Sequence, residues 1–174
     1  MDMIVLRQFQ QQAEIQCRYA MWAADSLDEA LRRGDVDAVF YSAQNLVGAL
    51  GNAAKVFWGA GGNKSDLRKP VRQSVGVRDE SPLRDLTMRN HYEHLDERID
   101  RWATHADHLN IADMNIGPKG MIDGLENIEM FRQFDPQEGV LYFWGDELDL
   151  RVIMSDVAAF YPRLQREAAR PHWE

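Results

Sequence analysis

Between residues 4 and 58 apolar side chains recur at steps of three and four, with a single interruption at Gly34-Asp35. Leu6, Phe9, Ala13, Cys17, Ala20, Ala24, Leu27 and Leu31 predict one helix over residues 4–33. Val36, Val39, Phe40, Ala43, Leu46, Val47, Leu50, Ala54 and Phe57 predict a second, with a wide apolar face, over residues 36–58. Gly34 suits the left-handed residue that ends a helix, and Asp35 suits the cap that starts the next. Ala13, Ala20 and Ala24 are small enough to let a neighbouring helix approach closely. A chain that begins this way is expected to build a helical bundle.

A third periodic stretch begins at Ser81, a good N-cap, followed by Pro82 at the first helical position. Met88, Tyr92, Leu95, Ile99, Trp102, Ala106 and Leu109 predict one long helix, its stripe packed against the helix of residues 36–58. The remaining faces are crowded with Arg84, Arg89, Asn90, His91, Glu93, His94, Asp96, Glu97, Arg98 and Arg101. Charges in this pattern are ordinarily a solvated face laced with ion pairs one turn apart. If the two helices pack, Asn52 or Lys55 approaches the Arg89–His94 surface; otherwise both are plain surface residues.

The rest of the chain is punctuated differently. Residues 59–65, Gly-Ala-Gly-Gly-Asn-Lys-Ser, form a loop that lacks the spacing and the preceding strand of a phosphate loop. A short helix is expected from Pro70 within residues 67–77, and residues 110–127 read mostly as loop. Residues 128–134 and 140–144 read as strands about a turn at 135–139, with a third strand over 148–153. A final helix is expected over 155–169, with Val157, Phe160, Tyr161 and Leu164 inward and Pro162 as a kink. The expected architecture is therefore a single, mainly α domain over residues 1–174, with a bundle over about 1–109 and a small C-terminal β-hairpin and helix over about 128–169.

Composition narrows the function classes. With 45% hydrophobic residues and a mean hydropathy of −0.48, the chain suits a soluble globular protein. It has no apolar run approaching the roughly 18–20 residues needed to cross a bilayer. Its start lacks the pattern of a signal peptide, so a cytoplasmic location is the default expectation. Cys17 is the only cysteine, which excludes an internal disulfide or a cysteine-rich zinc site. A formal charge of −8 argues against broad polyanion binding but leaves room for a local basic groove.

Within the third stretch, Arg89-Asn90-His91-Tyr92-Glu93-His94 resembles the R-x4–6-H motif of the HEPN superfamily. Arg84-x6-His91 also satisfies the loose spacing. The resemblance covers roughly residues 1–109. It implies an all-α bundle, a metal-independent endoribonuclease or toxin without a cofactor, a homodimer with a composite site, and a possible neutralising partner protein. Some such toxins carry a modifiable tyrosine two residues after the histidine. That position here is Asp96, so control by that route is not implied.

Metal-free RNA cleavage needs a base for the 2′-hydroxyl, an acid for the leaving 5′-oxygen and a cation for the phosphorane. Histidine and arginine meet these needs. On one helix, Arg89 and His94 stand about 140° and about 7.5 Å apart. Two copies about a twofold axis are expected to complete the site, with Asn90 orienting a group and His91, Glu93, Asn52, Lys55 and Arg84 as secondary candidates. A metal site is a lesser alternative: His91 and His94, His105 and His108, with Asp96, Glu97 and Asp107. The two histidine pairs lie about 21 Å apart on one helix and cannot share an ion. A third reading is a noncatalytic module docking a partner through Phe131, Phe134, Tyr142, Phe143 and Trp144.

Overall fold

The structure is a computed structural model that describes residues 1–171 and Trp173. The helical hairpin falls where the periodicity puts it: α1 spans Met3–Arg33 and α2 spans Val36–Trp58. Gly34, at φ 66°, ends α1 by donating its N–H to the Ala30 and Leu31 carbonyls. The Asp35 side chain then accepts from the Ala38 N–H at 3.0 Å and starts α2. Ala13, Cys17, Ala20 and Ala23 are buried against α2, as small residues between close helices should be.

Two buried polar residues of α1 lie off the expected stripe. The Arg7 guanidinium donates to Gln10 Oε1 at 2.7 Å and meets Glu167 Oε2 at 3.1 Å, and Gln10 Nε2 donates to the Ser74 hydroxyl. Both contacts reach elements close to α1 in space: α4 (Lys69–Val75, after the short α3, Lys64–Leu67) and α7 (Leu150–Ala168). Phe57 of α2 meets Phe160 of α7 edge-on at 5.7 Å, so α1, α2 and α7 share one core.

The single long helix expected from Ser81 is three pieces. Ser81 does cap a helical turn, accepting from the Leu83 N–H, but that turn is a 3₁₀ segment, Pro82–Arg84. Asp85 is extended, and its carboxylate accepts from the Thr87 N–H at 2.8 Å to begin α5, Thr87–Glu93. His94 leaves helical geometry at φ −113°, ψ 38°, and α6 follows over Leu95–His105. The break lets one apolar stripe serve two partners. Met88 is buried at α2, whereas Trp102 packs edge-on against Phe131 and donates its indole N–H to the Asn110 carbonyl at 2.7 Å. Ile99 and Leu109, expected inward, are 45% and 68% exposed.

The β region is a four-stranded sheet rather than a hairpin with a third strand. β1 (Asn115–Ile116) runs parallel to β2 (Arg132–Asp135), which pairs antiparallel with β3 (Val140–Phe143), which pairs with β4 (Asp146–Asp149). The two-residue β1 lies within the stretch expected to be loop. The third strand stops at Asp149, because that carboxylate accepts from the Val152 N–H and caps α7 five residues before the expected start. Phe131, Phe134 and Phe143 are core residues, so they are not available to dock a partner; Tyr142 and Trp144 are only partly covered. Asp113 anchors the sheet's edge, holding the Arg132 guanidinium through both carboxylate oxygens. No helix among the described residues is long and apolar enough to cross a membrane.

Candidate functional site

Arg89 meets α2 at a notch. A Cβ on Gly51 would stand 2.7 Å from Arg89 Cγ and 2.8 Å from its Cδ, so the arginine stem occupies the space a side chain would fill. The Arg89 side chain is 13% exposed and its guanidinium pairs with Glu93, one turn further along α5. Its Nε is buried without a partner among the described residues. Together these hold the guanidinium at the floor of an open groove of about 450 Å³. Gln16 and Tyr19 of α1, Asn45 and Asn52 of α2, and Tyr92 and Glu93 of α5 are among its walls. Asn52 Nδ2 donates to Gln16 Oε1 at 3.3 Å, tying α2 to α1 across the groove.

Burial is the largest influence on the Tyr92 phenol and pushes it up, with Arg132 pulling down and Asp113 pushing further up. Tyr92 therefore stays a neutral hydroxyl and supplies no base. Burial, aided by the Glu14 charge, pushes the Cys17 thiol up to about 12, which leaves it inert as a nucleophile.

His94 stands at the break between α5 and α6, outside the residues lining the groove, with its side chain 49% exposed. Its Nδ1 lies 3.2 Å from Glu97 Oε1. A carboxylate can only accept, so in this contact Nδ1–H donates, and Nε2 has no partner among the described residues. His91 is in a different situation. Its ring is stacked on Phe143 at 4.9 Å, its Nδ1 accepts from Arg98 Nε at 3.0 Å, and its Nε2 lies 2.7 Å from Asp146 Oδ2. Both nitrogens are committed inside the protein, and the ring pins the α5–α6 break to the β3–β4 turn.

Among the sequence candidates, then, Arg89, Glu93 and Asn52 come together. His94 is close in the chain but lies outside the groove, at the end of α5 rather than on a continuous helix with Arg89. Asn90 is exposed on α5, Arg84 is exposed on the 3₁₀ turn, and Lys55 is half-buried; none of the three lines the groove. The Arg84–His91 spacing joins an exposed residue to a buried one. His91, His94, His105 and His108 form no ligand set: among the described residues no three histidine, cysteine, aspartate or glutamate side chains gather as a metal group. Gln16, Tyr19 and Gly51 were not singled out from the sequence. The signal for Gly51 was there, since glycine inside a helix costs roughly 1 kcal/mol relative to alanine and is kept where something needs its space.

No protein-family model, no curated protein and no solved structure matches the chain.

Proposed function

We propose that the chain is a metal-independent endoribonuclease of HEPN type whose site is completed by two copies. The observation that carries the reading is a pair of groups at the C-terminal end of α5: Arg89, seated in a groove, and His94, at the break itself, with Nδ1 held by Glu97 and Nε2 without a partner among the described residues. His94 takes the 2′-hydroxyl proton, and the 2′-oxygen attacks phosphorus while Arg89 stabilises the phosphorane. The partner copy's equivalent histidine protonates the 5′-oxygen as the P–O5′ bond breaks, leaving a 2′,3′-cyclic phosphate and a 5′-hydroxyl. Glu93 must release Arg89 when phosphate arrives, an exchange of one anion for another.

Exposed aromatics beside the groove support a second copy. Tyr19 and Trp22 lie 5.7 Å apart at 47% and 56% exposure, and Tyr41, one turn before Asn45, is 72% exposed. Adjacent exposed aromatic rings mark an interaction face. That same patch favours the second reading, a noncatalytic module that docks a partner protein there.

The test is cleavage of varied single-stranded RNAs in EDTA, with sedimentation to establish the oligomer. His94→Ala should lower cleavage about 10²–10⁴-fold. Arg89→Lys should fail to restore it, since lysine keeps the charge and loses the planar fork. Equal cleavage by wild type and both folded variants, or none by a folded wild-type dimer, overturns the reading and favours the docking module.

A further inference from the structure

Away from the Arg89 groove, the β3–β4 turn carries a side chain that its backbone disfavours. Trp144 lies at φ 58° and Gly145 at φ 84°. Glycine suits such a position, but a bulky residue in it is an outlier, because asparagine, aspartate or glycine turns the chain there with less steric cost. Strain of this kind points to a use for the side chain that it displays.

Trp144 forms part of a cavity of about 190 Å³, with Tyr142, Gln133, Phe131, Met130 and Lys119 among its other walls. That is smaller than the roughly 300–1,000 Å³ of pockets for drug-sized ligands and suits one planar ring system. The Trp144 indole N–H is buried with no partner among the described residues. Gln133, 3% exposed, spends Nε2 on the Gly117 and Pro118 carbonyls at 3.0 and 2.7 Å, so what it has left for a ligand is its Oε1 acceptor. Three cations surround the two rings: Lys119 lies 5.6 Å from Tyr142, and Arg98 and Arg101 lie 5.5 and 5.6 Å from Trp144. Lys119 is held by an exposed pair with Glu147 at 3.4 Å, weak enough for a phosphate to displace. Of the other nearby acids, Asp146 is engaged with His91, and Glu97 lies 3.8 Å from Arg98, whose Nε donates to His91.

We propose that this cavity takes one unpaired base of single-stranded RNA, with Lys119 and Arg101 meeting the flanking phosphates. An aromatic face, one donor and one acceptor match a base, and the cations match the backbone on either side of it. Such a local arrangement works in a chain of charge −8 because it needs only the charges beside the rings. The inference deepens the ribonuclease reading, on which the choice of RNA rests.

The experiment is fluorescence anisotropy of the full chain with labelled, cleavage-resistant 2′-O-methyl RNA of about 12 nucleotides. Tyr142→Ala should weaken binding about 5- to 150-fold, the effect of losing one stacked base. Lys119→Ala should weaken it and flatten its salt dependence. Trp144→Asn should abolish it, with circular dichroism checking the fold; Tyr142 and Lys119 keep the test sound if that variant unfolds. Unchanged binding in Tyr142→Ala and Lys119→Ala overturns the pocket even if cleavage is found. Pocket-dependent binding without any cleavage supports the pocket and removes the ribonuclease reading alone. A mononucleotide competing as well as the oligonucleotide overturns the strand assignment in favour of a free nucleotide.

Discussion

Gly51→Ala separates the seating of Arg89 from the stability of the bundle. The new methyl group would stand 2.7 Å from Arg89 Cγ, where ordinary contact begins at 3.4 Å, so the arginine stem must retreat by at least about 0.7 Å. The guanidinium lies further along the same stem and moves by about 1 Å or more. Misplacing a positioned group by that much costs about 10²-fold in rate. Stability should barely change. Alanine gains about 1 kcal/mol of helix propensity over glycine, and an off-rotamer arginine gives back about 0.5–1.5 kcal/mol. For a chain of this size that leaves the melting temperature within about 4 °C of wild type. The assay pairs RNA cleavage with thermal unfolding. Wild-type cleavage with Arg89 unmoved in a structure of the variant refutes the notch argument. A fall in melting temperature well beyond 4 °C would show that the contact holds the fold instead.

Three other outcomes follow from the packing. Burial pushes the Asp113 carboxyl up, but the hydrogen bonds and charge of Arg132 outweigh it and hold the group below the usual carboxylate range. The resulting stability is present above about pH 4 and is lost as pH falls through the lowered value. Asp113→Asn should therefore flatten the fall in denaturation midpoint between neutral and acid pH, and an unchanged profile would count against the pair. Trp102→Ala should cost roughly 2 kcal/mol by urea unfolding, below the 3–5 typical of a fully enclosed aromatic, because Trp102 is not fully covered. Arg7→Ala should cost about 3–5 kcal/mol, since it leaves Gln10 Oε1 and Glu167 Oε2 without their guanidinium at a buried site; a loss under 1 kcal/mol would mean that water replaces the guanidinium.

The helical hairpin was legible because its signals are local. The three- and four-residue spacing, Gly34 and Asp35 each act within one or two turns. The region after residue 81 was less so. Nothing local to His94 announces that one stripe will be shared between α2 and the sheet; that division depends on Phe131 and Phe143, roughly 40–50 residues away. The start of α7 was ambiguous because Leu148 and Leu150 alternate as in a strand while Leu150, Ile153 and Val157 recur as in a helix, and only the Asp149 cap decides. The groove's arginine stood out by its motif. Its α1 walls, Gln16 and Tyr19, carry no chemical signature and become relevant only when the hairpin closes. Trp144 was read as the last residue of a strand, and alternation alone gives no sign that its backbone leaves the extended region there, at φ 58°.

The clasp between Arg7 and Glu167 bears on how the polypeptide emerges from the ribosome. The α1–α2 hairpin can form early, yet the surface that α7 covers stays bare until synthesis has passed the 91 residues between Trp58 and Leu150. At ordinary elongation speeds that is a delay of roughly 5–18 s. During it, a nascent chain exposes an apolar strip containing a buried-to-be arginine and glutamine. Those polar groups make the uncovered strip less adhesive than a purely aliphatic one, which gives Arg7 and Gln10 a use before the native state exists.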